Sequence, residues 1–468
     1  MLKTGPDFFS RLKWTRRHPH PLALILLSFM LLILLGAVLL ALPWSHASGQ
    51  QVRFADALFT AASAICVTGL MTVPAASTWS VWGKLILLLL IQVGGLSIIT
   101  YYIYFLAQFR QKITFHDRLA IQAVFNLTDF HGLVRLVNFV LRFALLMEGA
   151  AAVIMTVIFT VEGVSLGRAF FYGIFHAVSA FCSAGVDIIG DRSLENYVGH
   201  YPLNLTVMVL LQAGGLGFMA WQDIWQKIRH FRRGYRRPLR LQTRLALWSQ
   251  GGMIVMATLL FYLTEAEHNL TLGQFSPAQK WLASLFQAVS SGSAGFASLP
   301  QASLNGSTKI ISSVIMLIGG APGSTAGGIM TVTVAVVWLA VFSTLSGRRQ
   351  IKVGSRTIPN QTLMRALAVI HMIVVIWFIS VALIILAEGR GLLGEALPDL
   401  LYETASALGT VGMTTGLTAR LGQPARLVIL ADMFIGRIGP IALVMALSQH
   451  AASRNERIEY PPETLMIG

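Results

Sequence analysis

Charge is the scarcest property of this sequence. Only 12% of its 468 residues are Asp, Glu, Lys or Arg, about half the share found in a soluble globular domain. Over so long a chain that shortage excludes a soluble globular protein, a disordered one and a coiled coil. Cysteine is nearly absent as well. Cys66 and Cys182 cannot build a disulfide framework and have no metal-ligand spacing, so they say nothing about redox compartment. No phosphate-binding loop and no His/Glu zinc spacing occurs, and no nucleotide fingerprint. A cleavable signal peptide is not expected either. The apolar run at 21–43 is longer than the roughly 7–15 residues of a signal core and lacks a small-residue cleavage site, so it reads as a retained first span.

Apolar residues fill the chain instead, at 55% of the total. Runs at 21–42, 85–106 and 366–387 reach the roughly 20 residues of helix that cross a bilayer. The expected fold class is an all-α polytopic membrane protein. The net charge of +15 is informative only through its placement. Basic residues gather at the N-terminus (Lys3, Arg11, Lys13, Arg16, Arg17), at 110–135, 227–244 and 348–365, and in the tail (Arg454, Arg457). Other loops are poor in Lys and Arg, and one carries Asp187, Asp191 and Glu195. Basic segments face the cytoplasm, which puts both termini inside and makes the number of spans even. The run 227–237 has the composition of a nucleic-acid patch. Beside a membrane such a cluster sets topology and touches anionic lipid, with a cytoplasmic partner as the second use, so no nucleic acid is expected.

A fourfold repeat organises the apolar sequence. Cys66-Val67-Thr68-Gly69, Cys182-Ser183-Ala184-Gly185, Gly292-Ser293-Ala294-Gly295 and Gly409-Thr410-Val411-Gly412 each follow an amphipathic stretch too short to span, at 54–64, 168–180, 279–291 and 397–407. Ser63, Ser179 and Ser406 lie six residues before their glycine, whereas Ser290 lies five before Gly295, so the third copy is one residue shorter. The glycines are separated by 116, 110 and 117 residues (185 − 69, 295 − 185, 412 − 295). A second glycine-bearing apolar helix follows each one, at Gly94-Gly95, Gly214-Gly215, Gly319-Gly320 and Gly436-Arg437-Ile438-Gly439. Each unit reads span, re-entrant half-helix, loop, span, and four units give eight spans.

A half-helix ending in irregular backbone at membrane depth is tolerated only when buried in protein or lining a water-filled path. Four related loops can converge on one axis as an ion filter. K⁺ sheds its water there and backbone carbonyls replace it. Glycine suits such a loop because it adopts positive φ without penalty, and half-helix C-termini aimed at the pore favour a cation. Single glycines of this kind ordinarily serve helix packing; the repeat favours the filter. Cys66 and Cys182 read as small wall residues packed behind it. Thr68 and Thr410 supply hydroxyls either to the pore or to packing.

These loops and the segments after them resemble the Trk/Ktr/HKT superfamily of potassium transporters, over nearly the whole chain. The best-matched stretches are 59–70, 286–296, 319–329, 403–417 and 433–440. The resemblance implies four fused span, loop, span units around one central pore. Eight spans with no extra N-terminal pair look closest to the Ktr-type pore subunit, which implies a homodimer on a cytoplasmic ring of nucleotide-binding regulatory subunits. It also implies a K⁺ selectivity filter of Val67, Thr68, Gly69, Ser183, Ala184, Gly185, Ser293, Ala294, Gly295, Thr410, Val411 and Gly412. K⁺ would be held at Thr68, Gly69, Gly185, Gly295, Thr410 and Gly412. Gly69, where some relatives have serine and pass Na⁺, points to K⁺. The glycine-rich stretch 319–328, with Gly319, Gly320, Gly323, Ser324, Thr325, Gly327 and Gly328, matches the family's intramembrane gate loop. So many glycines with Pro322 cannot hold a regular helix. Arg437 matches an arginine near the pore below the filter. Its alternative is a salt bridge to Asp432 or Glu403, and Glu148 is expected either to pair with Arg142 or to brace the scaffold. Met330 stands where the family usually has lysine, which removes a positive charge from beside the gate.

The expected organisation is a cytoplasmic N-terminus (1–20), unit one (21–108), a linker (109–133), unit two (134–226), a basic linker (227–244), unit three (245–346), a linker (347–363), unit four (364–450) and a cytoplasmic tail (451–468). The function expected is K⁺ uptake across a bacterial plasma membrane, with no cofactor in the chain and with Na⁺ coupling left open. A sodium or mixed cation transporter of the same fold is the nearest alternative. A secondary transporter of an organic solute is usually built from two inverted repeats. An intramembrane enzyme would need converging bases or ligands, whereas His176 and His371 fall in different units without acidic companions.

Overall fold

A computed structural model describes residues 21–109, 133–190, 193–235, 237–348, 350–354, 356–389 and 396–439. The expected N-terminal segment 1–20, most of the first linker and the tail lie outside them. Four helices lead the repeats: Pro21–Ala41, Leu133–Val161, Leu241–Glu265 and Asn360–Glu388. They turn large apolar side chains outward, Leu146 being 68% and Leu386 81% exposed. In water such exposure costs about 25 cal/mol for each Å², so these faces are lipid-facing.

Each leading helix is followed by a half-helix: Phe54–Cys66, Leu166–Phe181, Pro277–Ser291 and Leu397–Leu408. Proline in the first turn opens the third and fourth, and Ser276 with Gln279 forms a capping box on the third, satisfying amides that the helix cannot. Phe59, Phe175, Phe286 and Tyr402 hold equivalent places just before the repeat serines, and all are buried. These aromatic anchors fix how deeply each half-helix sits.

A second helix returns from each loop: Val81–Leu96, Tyr201–Gly215, Gly306–Leu317 and Gln423–Ile438. All four stop at a break. Ser97 (φ 68°) separates the first from Ile98–Gln108, and Gly217 (φ 88°) bends the second by 98° into Phe218–Phe231. Residues 318–330 separate the third from Thr331–Leu345, and Gly439 (φ 88°) ends the fourth. The sequence predicted such a break only in the third unit and read 85–106 as one span. That reading is corrected. The carbonyls of Gly94 and Gly95 accept hydrogen bonds from Arg437, and the helix turns away just beyond them. Because of these breaks, three helices among the described residues are long and apolar enough to cross a membrane, 134–161, 241–265 and 360–388, with the bent pair as a fourth.

Packing runs in a cycle. Within each repeat the leading helix, half-helix and second helix contact one another. The second helix of each repeat then packs against the half-helix of the next, and that of the fourth, Gln423–Ile438, packs against the first half-helix, Phe54–Cys66. The helices continuing beyond the breaks lean on the next leading helix in the same way. A small antiparallel hairpin, Ile351–Val353 with Arg356–Ile358, lies in the 347–363 linker and covers Val336, Ala340 and Ala366. The basic 227–244 linker is clamped locally, since Asp223 accepts from the Arg240 amide at 2.8 Å and lies 3.7 Å from Arg237. Lys227, Arg229, Arg232 and Arg233 remain exposed.

Candidate pore and gate

The four repeat loops meet at one place. A Cβ built on Gly69 would lie 2.2 Å from the Ala184 carbonyl oxygen, one on Gly185 2.3 Å from Gly295 N, one on Gly295 2.7 Å from Gly412 C, and one on Gly412 1.8 Å from the Thr68 carbonyl oxygen. The contacts close a ring in chain order, first to second to third to fourth to first. No side chain fits at any of its corners without displacing a neighbouring backbone.

Three loops share one backbone turn. Val67, Ser183 and Thr410 adopt positive φ of 55°, 63° and 50°, and the glycines two residues on, Gly69, Gly185 and Gly412, have φ of 96°, 61° and 93°. The third loop departs from this pattern. Ser293, Ala294 and Gly295 have no positive φ, so the requirement for glycine at 295 is space and not handedness. The missing residue in that copy is where the turn differs. The repeat serines, in register in the sequence but without an assigned role, hold the loops. Ser63 Oγ accepts from Gly69 N at 2.9 Å and Ser406 Oγ accepts from Gly412 N at 2.9 Å. Ser179 Oγ donates to Val186 O at 2.8 Å, and Ser290 Oγ faces the carbonyls of Ala294 and Phe296. The hydroxyls of Thr68 and Thr410 are buried and have no hydrogen-bond partner among the described residues. Cys66 and Cys182 are buried behind the loops as expected, with Cys182 Sγ 2.5 Å from where a Cβ on Gly95 would be.

Residues 318–330 form a loop closed at its neck. Gly319 N donates to Ile329 O, Ile329 N to Leu317 O, each at 2.9 Å, and Thr331 N to Gly320 O at 3.0 Å. From that neck the loop reaches the second and fourth repeats. Ala321 N donates to Gly215 O and Thr325 N to Gly214 O, while Phe218 N donates to Gly323 O. Thr325 Oγ1 meets Ser183 Oγ at 3.0 Å. Gly327 packs on Thr410 and on the Gly436 carbonyl, and Gly328 N donates to that carbonyl at 3.4 Å. Ser324 Oγ turns back within the loop to accept from Ala326 N at 3.3 Å.

Arg437 completes the cluster. Its guanidinium donates to the carbonyls of Thr325 and Gly94, and to Gly95 O at 3.0 Å. Neither carboxylate offered by the sequence is its partner. Asp432 accepts from Ser380 at 2.6 Å, and Glu403 is surrounded by threonine and backbone donors. Glu148 likewise has no bond to Arg142. It accepts from Gln92 Nε2 at 3.1 Å, beside Cys182, and braces the scaffold. Backbone carbonyls freed by helix breaks are thus the arginine's partners, and a sequence cannot display them as it displays acids.

Comparison with known proteins agrees with this geometry. Residues 10–457 match the family model TrkH, described as a cation transport protein. The chain is 33% identical over 97% of its length to the potassium/sodium uptake protein NtpJ of Enterococcus hirae, covering 99% of that protein. It is 34% identical to Ktr system potassium uptake protein B of Vibrio alginolyticus (95% of this chain, 94% of the relative) and of Bacillus subtilis (98% of each). The fold matches the crystal structure of the potassium transporter TrkH from Vibrio parahaemolyticus with a TM-score of 0.71 and 18% identity, over 93% of this chain and 86% of that one. This chain is a helical membrane transport protein, not an enzyme, and it belongs to the TrkH family of cation transport proteins.

Proposed function

We propose that the chain is a K⁺-uptake pore of a bacterial plasma membrane, with four fused units and eight membrane-crossing segments around one axis. The observation that carries this reading is the closed ring of Gly69, Gly185, Gly295 and Gly412. Four backbone loops meeting with no side chain between them present carbonyls, the ligands that replace the water of K⁺. The filter comprises residues 67–69, 183–185, 293–295 and 410–412, with the unpartnered hydroxyls of Thr68 and Thr410 as further oxygens. The gate is the 319–328 loop held by Arg437. Both termini are cytoplasmic, the domain boundaries follow the four repeats, and membrane potential drives the flux.

The similarity to a relative named as a potassium/sodium uptake protein supports Na⁺ as a second or coupling ion. The similarity to proteins named Ktr system potassium uptake protein B supports a partner. We assign that partner as a cytoplasmic nucleotide-binding ring serving a homodimer, reached through the exposed Lys227, Arg229, Arg232 and Arg233. The test is growth at low K⁺ of cells lacking their own K⁺ uptake, with and without candidate regulatory subunits. Rescue is expected. Failure under every pairing, with the chain present in the membrane, would remove the K⁺ reading.

A further inference from the structure

The repeat register exposes a second layer of contacts above the serines. Three residues before each repeat serine stand Thr60, His176, Gln287 and Glu403, all buried. Three of them reach the segment that leaves the pore loop after its glycine. Glu403 Oε1 accepts from Thr415 N at 2.8 Å, from Leu417 N at 3.3 Å and from the hydroxyls of Thr414 and Thr415, while Oε2 accepts from Thr418 Oγ1. Gln287 Nε2 donates to Gln301 Oε1 at 2.7 Å and Gln301 Nε2 donates back to Gln287 Oε1 at 3.2 Å. His176 Nε2 faces Asp187 Oδ1 at 3.0 Å, which corrects the expectation that this histidine has no acidic companion, and that oxygen also accepts from Ile189 N at 2.6 Å. The first unit differs, because Thr60 Oγ1 turns back to Asp56 O at 2.8 Å.

Resting on the filter reading above, we propose that Glu403, Gln287 and His176 are positioning residues for ion selection. They pin the exit segments of units four, three and two, and so fix how closely the glycine ring can contract around an ion. Glu403 is the strongest of them. A buried carboxylate offers about four acceptor positions, and here all its partners are donors from one segment, 414–418. A small dehydrated ion is rejected only if the oxygen cage cannot shrink onto it, and pinned exit segments resist that shrinkage.

The test measures the ratio of K⁺ to Na⁺ uptake by the full chain in cells lacking other K⁺ uptake, with protein per membrane quantified. Glu403→Gln places an amide N–H₂ against donors, and Thr418→Val removes one donor at nearly constant shape, while Thr418→Ser keeps it. Glu403→Gln and Thr418→Val are expected to lower the ratio about tenfold, the factor equivalent to about 1.4 kcal/mol, with Thr418→Ser close to the parent. A merely structural role would reduce protein in the membrane and leave the ratio unchanged. Should Glu403→Gln fail to accumulate, the Thr418 pair decides. Gly69→Ser, run in parallel, separates the two readings. If it lowers the ratio and Thr418→Val does not, the positioning role falls and the filter stands. If neither changes the ratio, both fall.

Discussion

Arg437 shows at the scale of one residue how a buried charge is settled without a counter-charge. A lone guanidinium at membrane depth is costly unless its donors are used, and hydrogen bonds involving a charged group contribute about 1.5–3 kcal/mol each. Its three carbonyl partners belong to the first second-helix (Gly94, Gly95) and to the loop at 318–330 (Thr325). Replacing it by glutamine is expected to release the loop and raise K⁺ flux several-fold at saturating K⁺, measured by rubidium uptake. Unchanged flux in a well-expressed variant would show that the arginine is not a restraint. The register of the serines was legible in the sequence, because a spacing of six residues before glycine recurs in three copies, although no role followed from it. The role of Glu403 was not legible. Its partners lie after the glycine, where the four exit segments differ in sequence, and a carboxylate met on a helix invites pairing with the nearest arginine.

Helix elements were legible where composition changes and obscure where backbone geometry alone does. The half-helices end within two residues of expectation because their amphipathic run stops at a glycine-bearing loop. The loop at 318–330 announced itself by glycines and Pro322. The break at Ser97 did not, since no glycine or proline occupies the turning residue, and the carbonyls freed beside it are taken up by an arginine 340 positions later in the chain (437 − 97). The neck formed by Gly319, Gly320, Ile329 and Thr331 lets the loop be shortened without cutting the helices apart. Deleting residues 321–327 is expected to raise K⁺ flux while leaving selectivity intact. A folded deletion with parental flux would take the gate away from this loop.

Across the whole molecule, the decisive feature is closure of the last repeat onto the first. Two matching ion pairs stitch adjacent repeats on the side where the half-helices begin. Lys309, on the third second-helix, meets Asp399 of the fourth half-helix at 2.7 Å, and Arg426, on the fourth, meets Asp56 of the first at 3.0 Å. Asp56 and Arg426 are largely buried, and removing Arg426 leaves Asp56 only the exposed Arg53 at 3.5 Å, a loss of up to about 3 kcal/mol. Arg426→Ala is therefore expected to lower the thermal unfolding midpoint of the purified protein markedly, and Asp56→Asn combined with Arg426→Gln to lower it less. Equal losses would show that the pair does not act as a unit. The spacing of the four glycine loops was readable in the sequence, whereas closure needed coordinates, because residues about 370 apart meet only in the fold.

The ring of glycines is the centre of the reading, and Gly69 is its most exposed point to test. A side chain there meets the Ala184 carbonyl and a positive φ of 96° at once, so Gly69→Ser must open the ring. The direct measurement is K⁺ and Na⁺ uptake by the parent and Gly69→Ser proteins at matched expression. A filter built from these loops predicts that K⁺ preference falls and Na⁺ uptake rises in the variant. A variant with the parental K⁺ to Na⁺ ratio would contradict it.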